Sequence, residues 1–469
     1  MSDGQTSRRM PSASLAWAGG PAGRHARSEW LLGLGPLTLA ALFPVVVAVL
    51  RLQSCLANGW SGREPFYRMC YSDLANSMQL ADLGRGLTAY LSGDIRIEQP
   101  PLSGALMALV GGFAGGGEVL SGQRWFMAFW VVLAFGLIVL MVTRARSIAD
   151  HPGADPVMLA LAPVTALTVL LSPDIVGVAL ATVGIWAWSN RRPALAGVAI
   201  GLGALARTYP VLVLVVIALF LLRADAVTAG DEESVGAARA RDRKDFGRTF
   251  AAFAGTVVLG LVPFVGLTDT LATLVRSWWQ APAGLGALVY VPTLGQAAVA
   301  GPVASVLAMA GWILALVVGA YFITGARRRP TLAAGVLVVV AIVLVTGKSY
   351  PVQGALWLVP LVALAGLRWR DVLIWSAAEG AHFVALWLYV GGLDQPTKGL
   401  PAGWYFCFLV ARLLAVCWLA RQAWVDAPRI SGEDSSTGTL GRLPTARDHT
   451  CGQLARVGDD AYPPVTEGP

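Results

Sequence analysis

The sequence predicts an all-α, polytopic integral membrane protein with about twelve transmembrane helices, on three observations. Hydrophobic residues make up 56% of the chain and charged residues 13%, a balance foreign to a soluble multi-domain protein. Apolar runs close to the roughly 20 residues needed to cross about 30 Å of hydrocarbon recur along most of the length. Stretches such as Val131–Val142 and Ala334–Val345 are continuous, without the alternation of barrel strands, so they read as helices. Arginines cluster between the runs and account for the net charge of +7, which needs no nucleic-acid partner.

Residues 1–28, rich in Ser, Gly, Pro and Arg, lack the apolar surface that offsets ordering entropy and are expected to be a disordered cytoplasmic leader. The membrane-embedded part is expected over 29–422. Its first span begins near Leu31 without a small-residue cleavage site, so it is expected to be retained. The spans are expected near 31–51, 125–143, 157–172, 174–190, 193–206, 210–223, 250–267, 300–324, 331–347, 352–367, 372–391 and 403–420. With the N-terminus in the cytoplasm, alternate loops carry Arg144 and Arg146, Arg191 and Arg192, Arg241 to Arg248, Arg327 to Arg329, and Arg368 with Arg370. That distribution obeys the positive-inside rule.

The segment Pro101–Gly115 would reverse every later loop if it crossed fully. It therefore reads as a juxtamembrane or re-entrant helix, with Gly115-Gly116-Gly117 as a hinge. The first external loop then runs over 52–124. The other external segments are Ser172–Asp174, Arg207–Pro210, Thr268–Val299, Lys348–Pro351 and Gly392–Ala402. Arg223–Arg248, with DEES before RARDRK, reads as a solvated cytoplasmic linker, and 423–469 as a disordered cytoplasmic tail.

Asp73 follows Tyr71-Ser72 soon after the first span, and a carboxylate there can take a proton from a hydroxyl nucleophile. Asp82, Asp94 and Glu98 share that loop; solvation or helix capping is the competing role for each. Asp174, in Ser172-Pro173-Asp174, opens a helix, where Ser caps, Pro suits the first turn and an acid suits the dipole. A role in a site stands beside that capping role. Arg207 and Lys348 sit at external helix ends in RTYP and KSYP; they either hold a phosphate or snorkel to the interface. The repeated cation-x-Tyr-Pro pattern, with Tyr209 and Tyr350, favours the first.

Arg276, Trp278, Trp279 and Gln280 form RSWWQAP, which reads as an interfacial anchor or, with Trp279, as a surface that stacks a sugar or holds an isoprenoid. Glu379 and His382 lie three residues apart on an apolar helix, where ionisable groups are costly; an interhelical polar contact or a transport path accounts for them. Cys55 and Cys70 share the external loop. They stay reduced or form a bridge worth about 3 kcal/mol in the loop-entropy account. Cys407 and Cys417 read as apolar helix residues. No His/Cys cluster has zinc spacing, and Ile342 stands where a phosphate-binding loop ending in Gly347-Lys348-Ser349 needs glycine.

The order YSD, IEQPPL, LSPD, LARTYP and GKSYPVQGALWLVPLVAL resembles the GT-C superfamily of membrane glycosyltransferases, most of all its bacterial polyprenyl-phosphate-mannose-dependent branch. The resemblance covers most of residues 31–420. It implies a GT-C-like fold and an external loop carrying the base, which by position is Asp73. It further implies that Glu98 lies at the site, as does the acid before the proline pair in aminoarabinose-transferring relatives. Gln99 stands where those relatives have lysine. The close acid pair of metal-dependent relatives is missing around Asp73, so neither a divalent metal nor any other cofactor is expected.

The implied reaction moves a sugar, most readily mannose, from a polyprenyl phosphate to a glycolipid or cell-envelope glycan acceptor at the extracytoplasmic face of the plasma membrane, with inversion. The implied binding set is Glu98, Gln99, Asp174, Arg207, Tyr209, Lys348, Tyr350 and Trp279. Partners are the lipid-linked donor, the acceptor and membrane lipids. A transporter or lipid flippase is the rival class, for which Glu379 and His382 would matter most.

Overall fold

A computed structural model describes residues 34–115, 118–148, 155–223, 232–267, 275–326, 329–393 and 397–430, and every regular element among them is helical. The expected leader 1–28, Gly116 and Gly117, Arg327 and the tail beyond residue 430 lie outside the described residues. The helices in chain order are α1 (Leu34–Asn58), α2 (Glu64–Tyr67), α3 (Asp73–Leu80), α4 (Gly86–Leu91), α5 (Pro101–Ala114) and α6 (Val119–Ile148). There follow α7 (Pro156–Leu161), α8 (Pro163–Thr168), α9 (Asp174–Ser189), α10 (Pro193–Ala206), α11 (Val211–Leu221) and α12 (Glu232–Leu261). The last are α13 (Val291–Leu294), α14 (Gly301–Gly325), α15 (Leu332–Thr346), α16 (Val359–Leu364), α17 (Trp369–Gly391) and α18 (Ala402–Ile430).

Six of the described helices are long and apolar enough to cross a membrane: α1, α6, α12, α14, α17 and α18. The other apolar helices are shorter, and prolines explain two of them. The stretch expected as one span over 157–172 is instead α7 and α8, broken where Pro163 removes a backbone donor. The stretch expected over 352–367 is a 3-10 turn, Val352–Trp357, followed by α16 with Pro360 in its first turn. At 14 residues, α5 is about 21 Å long, below the hydrocarbon thickness.

Two expected boundaries are corrected. The segment read as a solvated linker is helical from Glu232, because RARDRK is built of good helix formers that run directly into the apolar half of α12. Its Asp242 and Asp245 also accept from Arg191 at 2.7 and 3.3 Å, which pins this charged turn to the end of α9. Residues 423–430, read as the start of a tail, are instead helical, since α18 continues to Ile430.

Pairs α10 with α12, α9 with α10, α17 with α18, and α14 with α15 form the main packing contacts. Only 6% of the apolar window of α12 is buried, so this helix lies at the rim. It still approaches α10 closely: a Cβ at Gly201 would meet Thr256 Cβ at 2.9 Å, the small-residue crossing common between membrane helices. Val303, Val306, Ile313 and Val317 of α14 are exposed, as surface against lipid would be.

The C-terminal ends of α1, α10, α15 and α17 and the N-terminal ends of α6, α9, α11, α14 and α18 gather at one end of the bundle, together with α2 to α5. Arg144 and Arg192 lie at the other end, 4.5 and 5.3 Å from the Trp186 ring. Arg223 is there too, donating to the carbonyls of Ile323 and Ala326.

Candidate active site

Asp73 occupies the first position of α3, and backbone contacts explain why so short a helix holds still. Its N–H donates to the Leu171 carbonyl at 2.8 Å, and buried Ser72 Oγ donates to Leu170 at 2.7 Å. The chain leading to Asp73 is thus docked on the residues leading to Asp174. From behind, Gln123 of α6 donates to the Ala75 carbonyl at 3.1 Å. Upstream, Cys55 in the last turn of α1 is disulfide-bonded to Cys70, with Cα atoms 5.7 Å apart. Trp60 Nε1 donates to the Cys70 carbonyl and Arg51 to that of Met69, whose φ of 57° turns the chain towards Tyr71.

Asp174 is fully buried at the first position of α9, and neither of its oxygens accepts from the helix backbone. Oδ1 accepts from Ser172 Oγ and from Arg207 Nε, both at 2.7 Å, and Oδ2 from Trp357 Nε1 at 2.7 Å. Arg207 Nη2 completes the ion pair. The arginine side chain is one-fifth exposed. It can lie along α9 because residue 177 is glycine, where a Cβ would meet Arg207 Cβ at 3.0 Å. Tyr209 stacks on Trp357, centroids 4.8 Å apart and planes 11° apart, with its buried hydroxyl unpartnered among the described residues.

Gln353, four residues before Trp357, donates to Asp73 Oδ2 at 3.4 Å. Asp73 itself is half-buried. Burial pushes its carboxyl up to about 6, and the charge of Asp174 adds to that; a hydrogen bond from Tyr71 and the charge of Arg207 oppose it. A carboxyl so poised is ionised at neutral pH yet basic enough to accept a proton. Burial and the nearby Asp174 raise the Tyr209 phenol, which keeps it a neutral donor.

The structure therefore brings Asp73, Asp174, Arg207 and Tyr209 together, with Gln353 and Trp357 as partners that sequence reasoning missed. IEQPPL adjoins them through Ser103, whose buried hydroxyl donates to the Ala206 carbonyl at 2.8 Å. Glu98 is exposed and makes no hydrogen bond or ion pair with the described residues, and Gln99 Oε1 is buried without a partner among them. Asp94 pairs at the surface with Arg85.

Lys348 and Tyr350 stand elsewhere. The buried Lys348 ammonium donates to the carbonyls of Trp278 and Trp279, at 2.5 and 3.3 Å, and to Ser305 Oγ at 2.7 Å. Those carbonyls lie in the last turn of a helix that ends at residue 280, where orphan acceptors attract a cation. Burial lowers the Lys348 pKa. Trp279 contributes that carbonyl, while its ring is partly exposed; Trp278 stacks on Trp312 at 5.6 Å.

Tyr350 is buried, and its hydroxyl donates to Glu379 Oε1 at 2.7 Å. Glu379 also accepts from Trp375 and, through Oε2, from Arg412 Nε of α18 at 2.7 Å. Both ring nitrogens of His382 are buried without a partner among the described residues; the ring packs on Tyr405, 5.6 Å away. Arg412 interrupts an apolar run, a signal that could have found it, and Gln353 and Trp357 lie within GKSYPVQGALWLVPLVAL, which singled out neither of them. Among the described residues no group of three or more His, Cys, Asp or Glu side chains gathers as a metal site would require.

No family model matches this chain, and no curated protein proves similar to it.

Proposed function

We propose that this chain is a GT-C-type membrane glycosyltransferase that moves a sugar, mannose first among candidates, from a polyprenyl phosphate to a glycolipid or envelope glycan. One observation carries the reading. Asp73, Asp174, Arg207 and Gln353 are dispersed over nearly three hundred residues, yet they meet at one end of an apolar helical bundle around a half-buried carboxyl poised near 6. In the proposed step the acceptor hydroxyl loses its proton to Asp73 while its oxygen attacks the anomeric carbon. The bond from that carbon to the phosphate oxygen breaks, and the polyprenyl phosphate leaves with the electron pair. A single displacement inverts the anomeric centre.

Arg207, oriented by Asp174, supplies the positive charge beside which the phosphate departs. Lys348 has no part in this step, since its ammonium is committed to backbone carbonyls. The Cys55–Cys70 bond supports an extracytoplasmic location for this end, because disulfides persist in oxidising surroundings. In this arrangement the shorter helices complete about twelve crossings, with α5 re-entrant, and both termini are cytoplasmic.

The test incubates membranes containing the protein with labelled polyprenyl-phosphate sugars and follows glycolipid product. Asp73→Asn should reduce transfer about 10²- to 10⁴-fold at unchanged protein level. Full turnover by that variant would refute the base assignment, and a wild-type protein that translocates labelled lipid without forming product would favour the transporter class.

A further inference from the structure

The segment from Lys348 to Trp357 touches three separate parts of the bundle. Lys348 anchors its start on Trp278, Trp279 and Ser305. Gln353 and Trp357, at its other end, reach Asp73 and Asp174. The middle is gripped by Arg412, which is fully buried. Its Nη1 donates to the Tyr350 carbonyl at 2.6 Å, its Nη2 to the Pro351 carbonyl at 3.0 Å, and its Nε to Glu379. The guanidinium also lies 3.4 Å above the Tyr350 ring, whose hydroxyl returns to Glu379.

Gly286 closes the assembly from outside. Its φ is 81°, and a Cβ there would meet Arg412 Nη1 at 2.9 Å, so this loop can lie over the clasp only as glycine. Tyr405 of α18 fixes that loop by accepting from the Gly286 N–H at 3.1 Å.

An arginine sealed in this way has no face left for a substrate. What it does hold is the backbone two residues before Gln353. Resting on the glycosyltransferase reading, we infer that the Glu379–Arg412 pair is a positioning device for the reaction at Asp73, clasping Tyr350 and Pro351 so that Gln353 meets the carboxylate and Trp357 meets Asp174. The pair works from inside the bundle through one strap of chain. It therefore sets the geometry and basicity of Asp73 without touching donor or acceptor.

The sign of its effect follows from the contact it supports. The Gln353 amide donates to the charged form of Asp73, so losing that bond raises the carboxyl's apparent pKa. Arg412→Lys keeps the buried charge but cannot span Glu379 and two carbonyls in a planar fork. It should lower kcat about 100-fold, the cost of a displacement near 1 Å, with KM for the polyprenyl-phosphate sugar unchanged. The acid limb of its pH–rate profile should move upward.

Gln353→Met breaks the last link at a half-buried position, which spares the fold should Arg412→Lys fail to accumulate. It should show the same two effects. The double variant should be no worse than the poorer single one, because both changes act through one strap. Additive losses, or a Gln353→Met protein with wild-type kcat and pH limb, would overturn the inference. Failure of the parent reading looks different: the wild-type protein itself would then form no labelled glycolipid, whereas failure of the base assignment alone would leave Asp73→Asn transferring sugar at the wild-type rate.

Discussion

Two acid–arginine pairs sit in this bundle, and they differ in what is left over. At Glu379–Arg412 both side chains are all but inaccessible, 2% and 0% exposed, and every nitrogen of the guanidinium has a protein acceptor. At Asp174–Arg207 the acid is sealed but the arginine remains one-fifth exposed, and a second carboxyl, Asp73, stands half-buried beside it. Saturation with protein partners marks the first pair as architecture. Incomplete neutralisation, two carboxyls against one guanidinium, marks the second as a place where charge can still move.

The largest effect that could break this distinction is on stability. Removing one partner of a sealed pair leaves an uncompensated charge, so Arg412→Met should lower stability by about 3–5 kcal/mol. Asp174→Asn keeps one oxygen for Ser172 and Arg207, loses the acceptor of the Trp357 N–H, and leaves a guanidinium that is one-fifth exposed to water, so it should cost less. Thermal unfolding of both variants in detergent checks this. Equal losses would mean that the two pairs are alike.

Next in size is the disulfide, which belongs to the site's side of the comparison. Replacing both Cys55 and Cys70 with alanine frees the chain between α1 and Asp73. It should cost about 3 kcal/mol in the loop-entropy account, and transfer should fall with it. A variant as stable as its parent would show that Arg51 and Trp60 hold the loop alone.

How far the sequence foretold these pairs follows from distance along the chain. Helix α10 fills the residues expected of it, 193–206, because an apolar run with proline at its start is a local signal. The breaks at Pro163 and after Trp357 were written in the sequence but outvoted by continuous hydropathy. Asp73, Asp174, Arg207 and Tyr209 stood out as polar residues at helix ends, and their meeting follows from Ser72 and Asp73 docking on Leu170 and Leu171. That contact spans about a hundred residues, and no local pattern encodes it.

Lys348 carried the same motif as Arg207 and yet turned inward. The three acceptors that claim it come from Trp278, Trp279 and Ser305, and chain folding alone decides their proximity. Glu98 matched by resemblance and stands exposed, without a described partner. Arg412 was a lone cation in an apolar run, and what gives it meaning is the Glu379 carboxylate on a different helix.

The smallest effect sharpens the comparison most, because it reads the site without relying on any reaction. Burial raises the Asp73 carboxyl from its ordinary value of 3.8 to about 6. The folded protein thus binds this proton more tightly than the unfolded chain does. Below about pH 4 the residue is protonated in both states and costs nothing; as pH rises through 6 the folded state must carry a half-buried charge, and stability is lost. Asp73→Asn removes that charge.

At pH 8 the variant should therefore be more stable than its parent, by no more than about 2 kcal/mol once solvent screening is allowed for, and the difference should vanish near pH 4. The measurement is a pair of thermal unfolding series across that range. A variant that is less stable at pH 8 would show that Gln353, Tyr71 and Arg207 together stabilise the carboxylate more than burial disfavours it. Asp73 would then be a carboxylate held in its charged form and not one poised to take a proton.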